Sequence, residues 1–460
     1  MQPRGKSRIL SCADKDNPMI ILSADFGTSS LKLSVLNEQN EIQDTAKMEY
    51  YYTVTSNDRV ELKVDDVFNA FTTGLQKLKT PLQKMDLISF CTFSPSLVAM
   101  DRDGEALHPL ITHLDRRSRK QTRQVINTMG KDEFRSITGV FPFAGGVSLT
   151  SILWIKENLL ETFKSTYRFG HLNTYLFKRL TNIWAIDSVN ASMTGMYETT
   201  SWGSWSKIIC STFGIPVEKL PDIHENATLV GGLTENISKM TGLKQGIPVV
   251  LGTNDIAASQ VGVGNLRAGD ALNVTGSNEM ISILSDKPVL SERFYLRNSA
   301  LKGIWQIFAI TAGGLSIDWF RKEFYREMDI DEFYSVHLSK LIKQGPPKTT
   351  VGFQPYLAGD RQSLRKKRGG FTGLTLETKR DDLLAAILYG IHEPILKTIE
   401  EAEKYISLGQ GLKVTGGLAN AAMLEFKKRL FARFSLSEVD NATSHGNCAL
   451  ALKALEGRSH

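Results

Sequence analysis

Residues 19–37 read MIILSADFGTSSLKLSVLN. Ile20, Ile21 and Leu22 form an apolar run that leads into Asp25, then Gly27-Thr28-Ser29-Ser30 follows, then a second apolar alternation through Leu31, Leu33 and Val35. Two short strands joined by such a bend describe a hairpin with both strands directed at a core. Gly27 permits a tight bend. Backbone N–H groups of a bend of this kind converge into an anion-binding concavity, and Thr28, Ser29 and Ser30 add hydroxyl donors. Asp25 cannot hold a phosphate itself, but a carboxylate at a strand end can hold Mg2+, which bridges phosphate oxygens. The same string suits an ordinary polar β-turn, and the stretch alone leaves both readings open.

A similar string recurs about 250 residues later. DALNVTGSNEMISILSD, from Asp270, reads as a strand, a turn at Gly276-Ser277 and a second strand. Two such hairpins predict two related domains, 19–264 and 265–456, behind a flexible tail over 1–18 that has no apolar h-region. Strands and helices alternate between them, which predicts an α/β fold. DDVFNAFTTGLQKLKTPLQKM has helical spacing with Asp65 or Asp66 as cap. DLISFCTFSPSLVAMDRDGEAL reads as two strands meeting a turn at Asp103-Gly104, and VSLTSILWIKENLLETF as a helix. GIPVVLGTNDIAASQVGVG reads as a buried strand ending near Asp255. A carboxylate there can accept a proton from a substrate hydroxyl, or it can cap the following helix. In VTGGLANAAM, Gly416-Gly417 stands at a strand-to-helix turn, where a flat ring could lie on bare backbone or the chain could simply pack closely.

The bulk composition narrows the classes. The chain has 460 residues, 42% hydrophobic and 23% charged, with a net charge of +6. That length exceeds one ordinary core, and the mild, dispersed positive charge argues against nucleic-acid binding. Cys12, Cys91, Cys210 and Cys448 lie far apart and form no metal or disulfide framework. No apolar run approaches a membrane span. There is no P-loop, and GVGNLR from Gly262 lacks the third glycine of a dinucleotide fingerprint.

Taken together the strings resemble the FGGY family of carbohydrate kinases, which includes xylulokinases, glycerol kinases and gluconate kinases, over residues 19–456. DFGTSS resembles the family's first phosphate motif and TGSNE its second. LDRRS, with Asp115 and Arg117, resembles the W-x-D-x-R segment, and GTND the strand end that carries the catalytic aspartate. PYLAGDR resembles PYLxGER, GGFTGLTLETKRDDLLAAILYG the signature before the long helix, and GGLANAAM the adenosine motif.

The resemblance implies two actin-like, RNase H-like ATPase domains with the active site in the cleft between them. It implies ATP and Mg2+ as cofactors and transfer of the γ-phosphate to a hydroxyl of a small carbohydrate (ketose, polyol or sugar acid). It also implies a cytoplasmic enzyme, in a family many of whose members are homodimers. Asp25 would support Mg2+ and the transferring phosphate, with Gly27, Thr28, Ser29 and Lys32 on the γ-phosphate side. Asp255 would be the base. Gly276 and Ser277 would contact phosphates from the second domain, and Gly313, Gly314, Gly416, Gly417 and Asn420 would surround the nucleotide. Phe93, Ser94, Asp255 and Ile256 would line the sugar pocket, braced by Asp115 and Arg117.

The acceptor side departs from the family pattern. Where xylulokinases carry Met-His and glycerol kinases Arg-Glu, this chain has Ser94-Pro95. Where both usually place Asn or Gln after the catalytic aspartate, it has Ile256, and Tyr389 replaces the glutamate that ends the second signature. The phosphate motifs are intact, so the expectation is an unusual acceptor and a more apolar pocket with one polar group fewer to bind a sugar hydroxyl. The alternative is a pseudokinase that senses nucleotide or sugar without turnover. RKKR, 365–368, reads as a solvated loop.

Overall fold

The computed structural model describes residues 18–56, 58–357, 359, 367–419 and 421–457. The tail expected over 1–18 therefore falls outside the described residues except for Pro18, and so do parts of PYLAGDR and RKKR, and Asn420.

The first sheet has seven strands. They are β1 (Ile20–Phe26), β2 (Ser30–Asn37), β3 (Ile42–Glu49), β4 (Leu87–Thr92), β5 (Leu229–Gly232), β6 (Pro248–Val250) and β7 (Thr253–Asn254). Their order is β5-β6-β4-β1-β2-β3, with β7 also paired to β4. β1, β2 and β3 form an antiparallel meander, and β4 joins β1 in parallel. The period of two along β1 explains its nearly continuous apolar run. Leu22, Ala24 and Phe26 enter one core with Val67, Phe68 and Phe71 of α1 (Val64–Leu75). Ile21 faces the other way, with Leu87 and Val250.

The second sheet has six strands. They are β8 (Ala271–Thr275), β9 (Glu279–Ser285), β10 (Tyr295–Asn298), β11 (Trp305–Thr311), β12 (Gly411–Thr415) and β13 (Ser435–Glu438), in the order β10-β11-β9-β8-β12-β13. β8, β9 and β11 repeat the antiparallel meander, and β12 joins β8 in parallel as β4 joins β1. The recurring hairpin string thus marks a recurring sheet pattern. Between the sheets lie α2 (Ser188–Ser192) and α3 (Asp255–Gly262), around the second sheet lie α4 (Gly313–Phe324), α5 (Arg380–Glu403) and α6 (Ala421–Leu430), and the described chain closes with α7 (Ala442–Glu456). One face of the second sheet packs Ile281, Ile283, Ile307 and Ala309 against Ile395 and Ile399 of α5. The opposite face joins Tyr295 and Phe308 to a core shared with Ile186, Tyr197 and Ile256.

The last helix returns to the first sheet. Cys448 and Ala451 of α7 pack on Ile21, and Asn447 Nδ2 donates to Ser23 Oγ at 3.1 Å. There α7 also meets α3 at very close range. A Cβ on Gly262 would lie 1.8 Å from Ala442 O, and one on Gly446 would lie 1.8 Å from Ala258 O.

Some local expectations shift. α1 starts at Val64, so Asp65 and Asp66 lie in its first turn, and Lys63 is the cap position without a side-chain cap. The helix expected over VSLTSILWIKENLLETF is two helices, Ser148–Asn158 and Leu160–Ser165, broken at Leu159. The strands Leu87–Thr92 and Ser96–Met100 both form, in different sheets, and the turn expected at Asp103-Gly104 follows the second of them, with Gly104 at φ +92° and its N donating to Asp101 O at 3.2 Å. Among the described residues, no helix is long and apolar enough to cross a membrane.

Candidate active site

Three adjacent strands place the acidic centre. Cys91 of β4 is in register with Asp25 of β1 on one side and with Thr253 of β7 on the other. Asp255 follows Thr253 by one intervening residue, at the start of α3. The period of two puts Asp25 on the same face of β1 as Ile21 and Ser23, toward α7. The Cys91 thiol donates to Asp25 Oδ1 at 3.4 Å and receives Asn447 Nδ2 at 3.4 Å.

Asn254, not Asp255, caps α3. Its Oδ1 accepts from Ile256 N at 3.0 Å and Ala257 N at 3.4 Å. Asp255 accepts from the Ile256 amide at 2.8 Å. Burial pushes the Asp255 carboxyl above its ordinary pKa, and the Arg297 guanidinium opposes that rise. Burial, and then the charge of Asp255, push Asp25 up to about 7, against the Cys91 thiol and Lys32. Both residues are partly buried, neither fully enclosed. An acid held up by burial and by the charge of a neighbouring carboxyl is a natural seat for a proton or a divalent cation.

The first bend is held by Gly27 N donating to Ser30 O at 3.0 Å, and by the Tyr50 hydroxyl, which donates to Gly27 O. Thr28 and Ser29 form its tip. Lys32 is paired with Asp25 in the β1–β2 register, and its Nζ donates to Asn441 Oδ1 just before α7.

The described residues expected on the nucleotide side converge on the second bend. Gly314 N donates to Gly276 O at 2.9 Å and Leu315 N to Ser277 O at 2.9 Å, so the start of α4 rests on the turn. Gly313 packs equally closely, since a Cβ there would lie 2.6 Å from Glu279 N. Gly416 has φ +114°, and a Cβ would lie 2.3 Å from Thr275 O, so both conformation and space demand glycine. Gly276 and Gly417 instead have nothing within 4 Å of an added Cβ, and bare backbone there faces open space.

On the acceptor side, Ser94 Oγ donates to Asn190 Oδ1, and His171 Nε2 lies 2.7 Å from Ser148 Oγ. Asp187 caps α2 and receives Asn190 Nδ2 at 2.6 Å, Asn173 Nδ2 at 2.8 Å and Thr253 Oγ1 at 2.9 Å. Burial pushes its pKa to about 6. Phe93 and Ile256 are 2% and 6% exposed and turn into apolar cores, so each backs the site instead of presenting a polar contact. Asp115 and Arg117 are joined by bonds of 2.7–3.0 Å, with Glu61 as a further Arg117 partner, a buried brace.

Sequence reasoning missed Asp187, Asn190, Cys91 and Arg297. The Asp187 cap was readable, because an acid follows Ala-Ile and precedes Ser-Val-Asn. Arg297 carries no local signal: its Nε donates to Gln306 Oε1 at 2.7 Å, its guanidinium lies 4.5 Å from the Phe308 ring centroid, and it is 1% exposed.

Known proteins resemble this chain along most of its length. A protein of Bacillus subtilis (strain 168) named gluconokinase is 26% identical over 457 residues, which is 94% of this chain and 87% of that protein. The structure of ligand-bound xylulose kinase from Lactobacillus acidophilus superposes with a TM-score of 0.85 at 20% identity, covering 95% of this chain and 90% of that one. Plasmodium falciparum glycerol kinase with ADP gives 0.82 at 20% identity, with 95% and 90% covered. These likenesses establish the two-domain, actin-like fold. The model of the N-terminal domain of the FGGY family of carbohydrate kinases matches residues 20–262, and the chain belongs to that family.

Proposed function

We propose that this chain is an ATP-dependent sugar kinase that transfers the γ-phosphate of ATP to a hydroxyl of a small carbohydrate. The observation that carries the reading is the Asp25–Asp255 pair, one carboxyl near the end of β1 and one at the start of α3, with the charge of Asp255 raising Asp25. Family membership and the ADP-bound structural neighbour support ATP as the donor. The two domains divide near residue 264 in this reading, supported by the passage of α3 from the first sheet to the strand that opens the second.

Asp255 takes the proton of the acceptor hydroxyl as its oxygen bonds to the γ-phosphorus and the bond to ADP breaks. Its raised pKa makes it a stronger base than a free carboxylate, and Asn254 shares the capping role, since it accepts from the Ile256 and Ala257 amides while Asp255 Oδ1 accepts from Ile256. Asp25 fits Mg2+. Among the described residues, no group of three or more His, Cys, Asp and Glu could hold a metal alone, which matches an ion held by one or two carboxylates plus substrate phosphates. When bound, Mg2+ neutralises phosphate charge, and the crowding of Asp25 by Asp255 is the condition a cation would relieve. Gly276 and Gly417 supply bare backbone for the nucleotide.

The acceptor lies outside the familiar ketopentoses and glycerol, supported by Ser94 bonded to Asn190 where a recognition pair would stand. A cytoplasmic setting is part of the reading, supported by the free, buried Cys91, Cys210 and Cys448. Nothing in the site favours a pseudokinase.

The test is ADP release from Mg-ATP over a panel of ketoses, polyols, sugar acids and deoxysugars, with Asp255→Ala alongside. One sugar should stimulate wild type, and the variant should lose that stimulation by about 10²–10⁴-fold. Equal rates in both proteins with every sugar would overturn the reading, as would unaltered turnover after chelation with EDTA.

A further inference from the structure

A fully buried ionic cluster lies directly behind the second bend. Glu279, the first residue of β9, is 1% exposed, and Lys427 of α6 and His392 of α5 are 0% exposed. Lys427 Nζ donates to Glu279 Oε1 and to Asn273 Oδ1. Asn273 Nδ2 donates to the same carboxylate at 2.6 Å, and Thr275 Oγ1 to its other oxygen at 2.6 Å. His392 Nε2 lies 3.4 Å away, with its Nδ1 2.8 Å from Leu388 O. Burial works to raise the Glu279 pKa, but Lys427 and His392 outweigh it and hold the carboxyl well below its ordinary range.

The placement of this cluster is specific. Glu279 ends the Thr275–Asn278 bend, and Lys427 sits two helical turns into α6, the helix that leaves the Gly416-Gly417 loop. Leu418 N also donates to Thr275 O at 3.1 Å, so bend and loop are joined at their backbones as well. A buried pair of this kind is weak evidence for stability, because well-packed apolar residues often do as well. Its better-attested use is to fix one arrangement of two elements.

We propose that Glu279 and Lys427 are positioning residues for the nucleotide, tying the Gly276-Ser277 bend to the Gly416-Gly417 loop so that both ligand-facing turns behave as one rigid unit. The proposal rests on the kinase reading above. It predicts a defect confined to the nucleotide side when the tie is cut, even where the fold is kept.

The experiment compares wild type, Glu279→Leu, Lys427→Met and the double variant by urea unfolding, by calorimetry with ADP and MgCl2, and by the KM for ATP and for the acceptor. Each single variant leaves an unpaired buried charge and should unfold at lower urea. The double variant should recover much of that midpoint, yet bind ADP about tenfold more weakly, with a matching rise in the KM for ATP. The KM for the acceptor should change by less than about twofold. A stable double variant that binds ADP like wild type overturns the proposal and leaves the kinase reading intact. Failure of wild type itself to bind ADP overturns both.

Hydrogen exchange on unliganded wild type needs no variant. Amides over 273–280 and 421–427 should open together, with equal protection. Independent opening of the two segments overturns the rigid tie even if the double variant does not fold.

Discussion

Asn254 accepts the Ile256 amide at 3.0 Å and so takes the capping position immediately before the candidate base. Cap and base are thus separate neighbouring residues. Asn254→Ala should cost about 1 kcal/mol of stability. It should also slow turnover, because Asp255, which already accepts from Ile256, is left as the nearest side-chain acceptor for the amides that Asn254 served. Asn254→Ser, which restores a good cap, should recover both. Urea midpoints and kcat on the acceptor found in the panel would decide, and a stability loss without any change in kcat would refute the second half.

Ile256 stands where relatives of the ketose and glycerol types are expected to carry an amide. Its side chain is 6% exposed and shares a core with Tyr295 and Phe308. Ile256→Asn should therefore bury an unpaired amide and destabilise by about 1–3 kcal/mol, with no gain of ketopentose phosphorylation. Acquisition of xylulose turnover in a stable variant would contradict this placement.

The crossing of α3 and α7 leaves no room for a methyl group at Gly446, where a Cβ would lie 1.8 Å from Ala258 O. The obstacle is backbone, so a rotamer change cannot relieve it. Gly446→Ala should destabilise by more than about 3 kcal/mol or prevent folding. Because α7 also carries Asn447, which donates to the Cys91 thiol that donates to Asp25, any folded variant should show altered turnover. Gly411→Ala, with nothing within 4 Å of the added methyl, is the control and should be tolerated.

Asp187 gives a pH signature. Burial holds its folded pKa at about 6 against 3.8 for a free carboxyl. Between these values the unfolded chain has released a proton that the folded protein keeps. The unfolded state then binds fewer protons, so this group makes stability fall as pH rises from about 4 to about 6. The full effect is at most about 3 kcal/mol and is constant above that window. Asp187→Asn should flatten this part of the profile in urea unfolding at pH 4, 5, 6 and 7. An unchanged slope would show that another group is responsible.

The fold was legible because its signals are local. A period of two through Leu22, Ala24 and Phe26, broken by Gly27 and resumed at Leu31, specifies a hairpin whatever lies beside it. Its recurrence around Gly276 pointed to a second sheet of the same pattern. The two acids were legible for the same reason, since each ends a buried strand. The acceptor side was less so. Phe93 and Ile256 are apolar residues in apolar surroundings, and their neighbours in sequence do not reveal which way they face. The resemblance supplied their candidacy, and burial shows them as backing.

By itself the sequence determined the α/β class, the paired hairpins, the family and the order of the motifs, because periodicity, turn chemistry and motif order are properties of short segments. Tertiary structure alone decided that Cys91 stands in register between Asp25 and Thr253, that the last helix returns to the first sheet, and that Lys427 reaches Glu279 across 148 positions of chain. Those relations depend on strand order, helix crossing and desolvation. Each is set by the packing of distant segments and leaves no local trace in the residues that carry it.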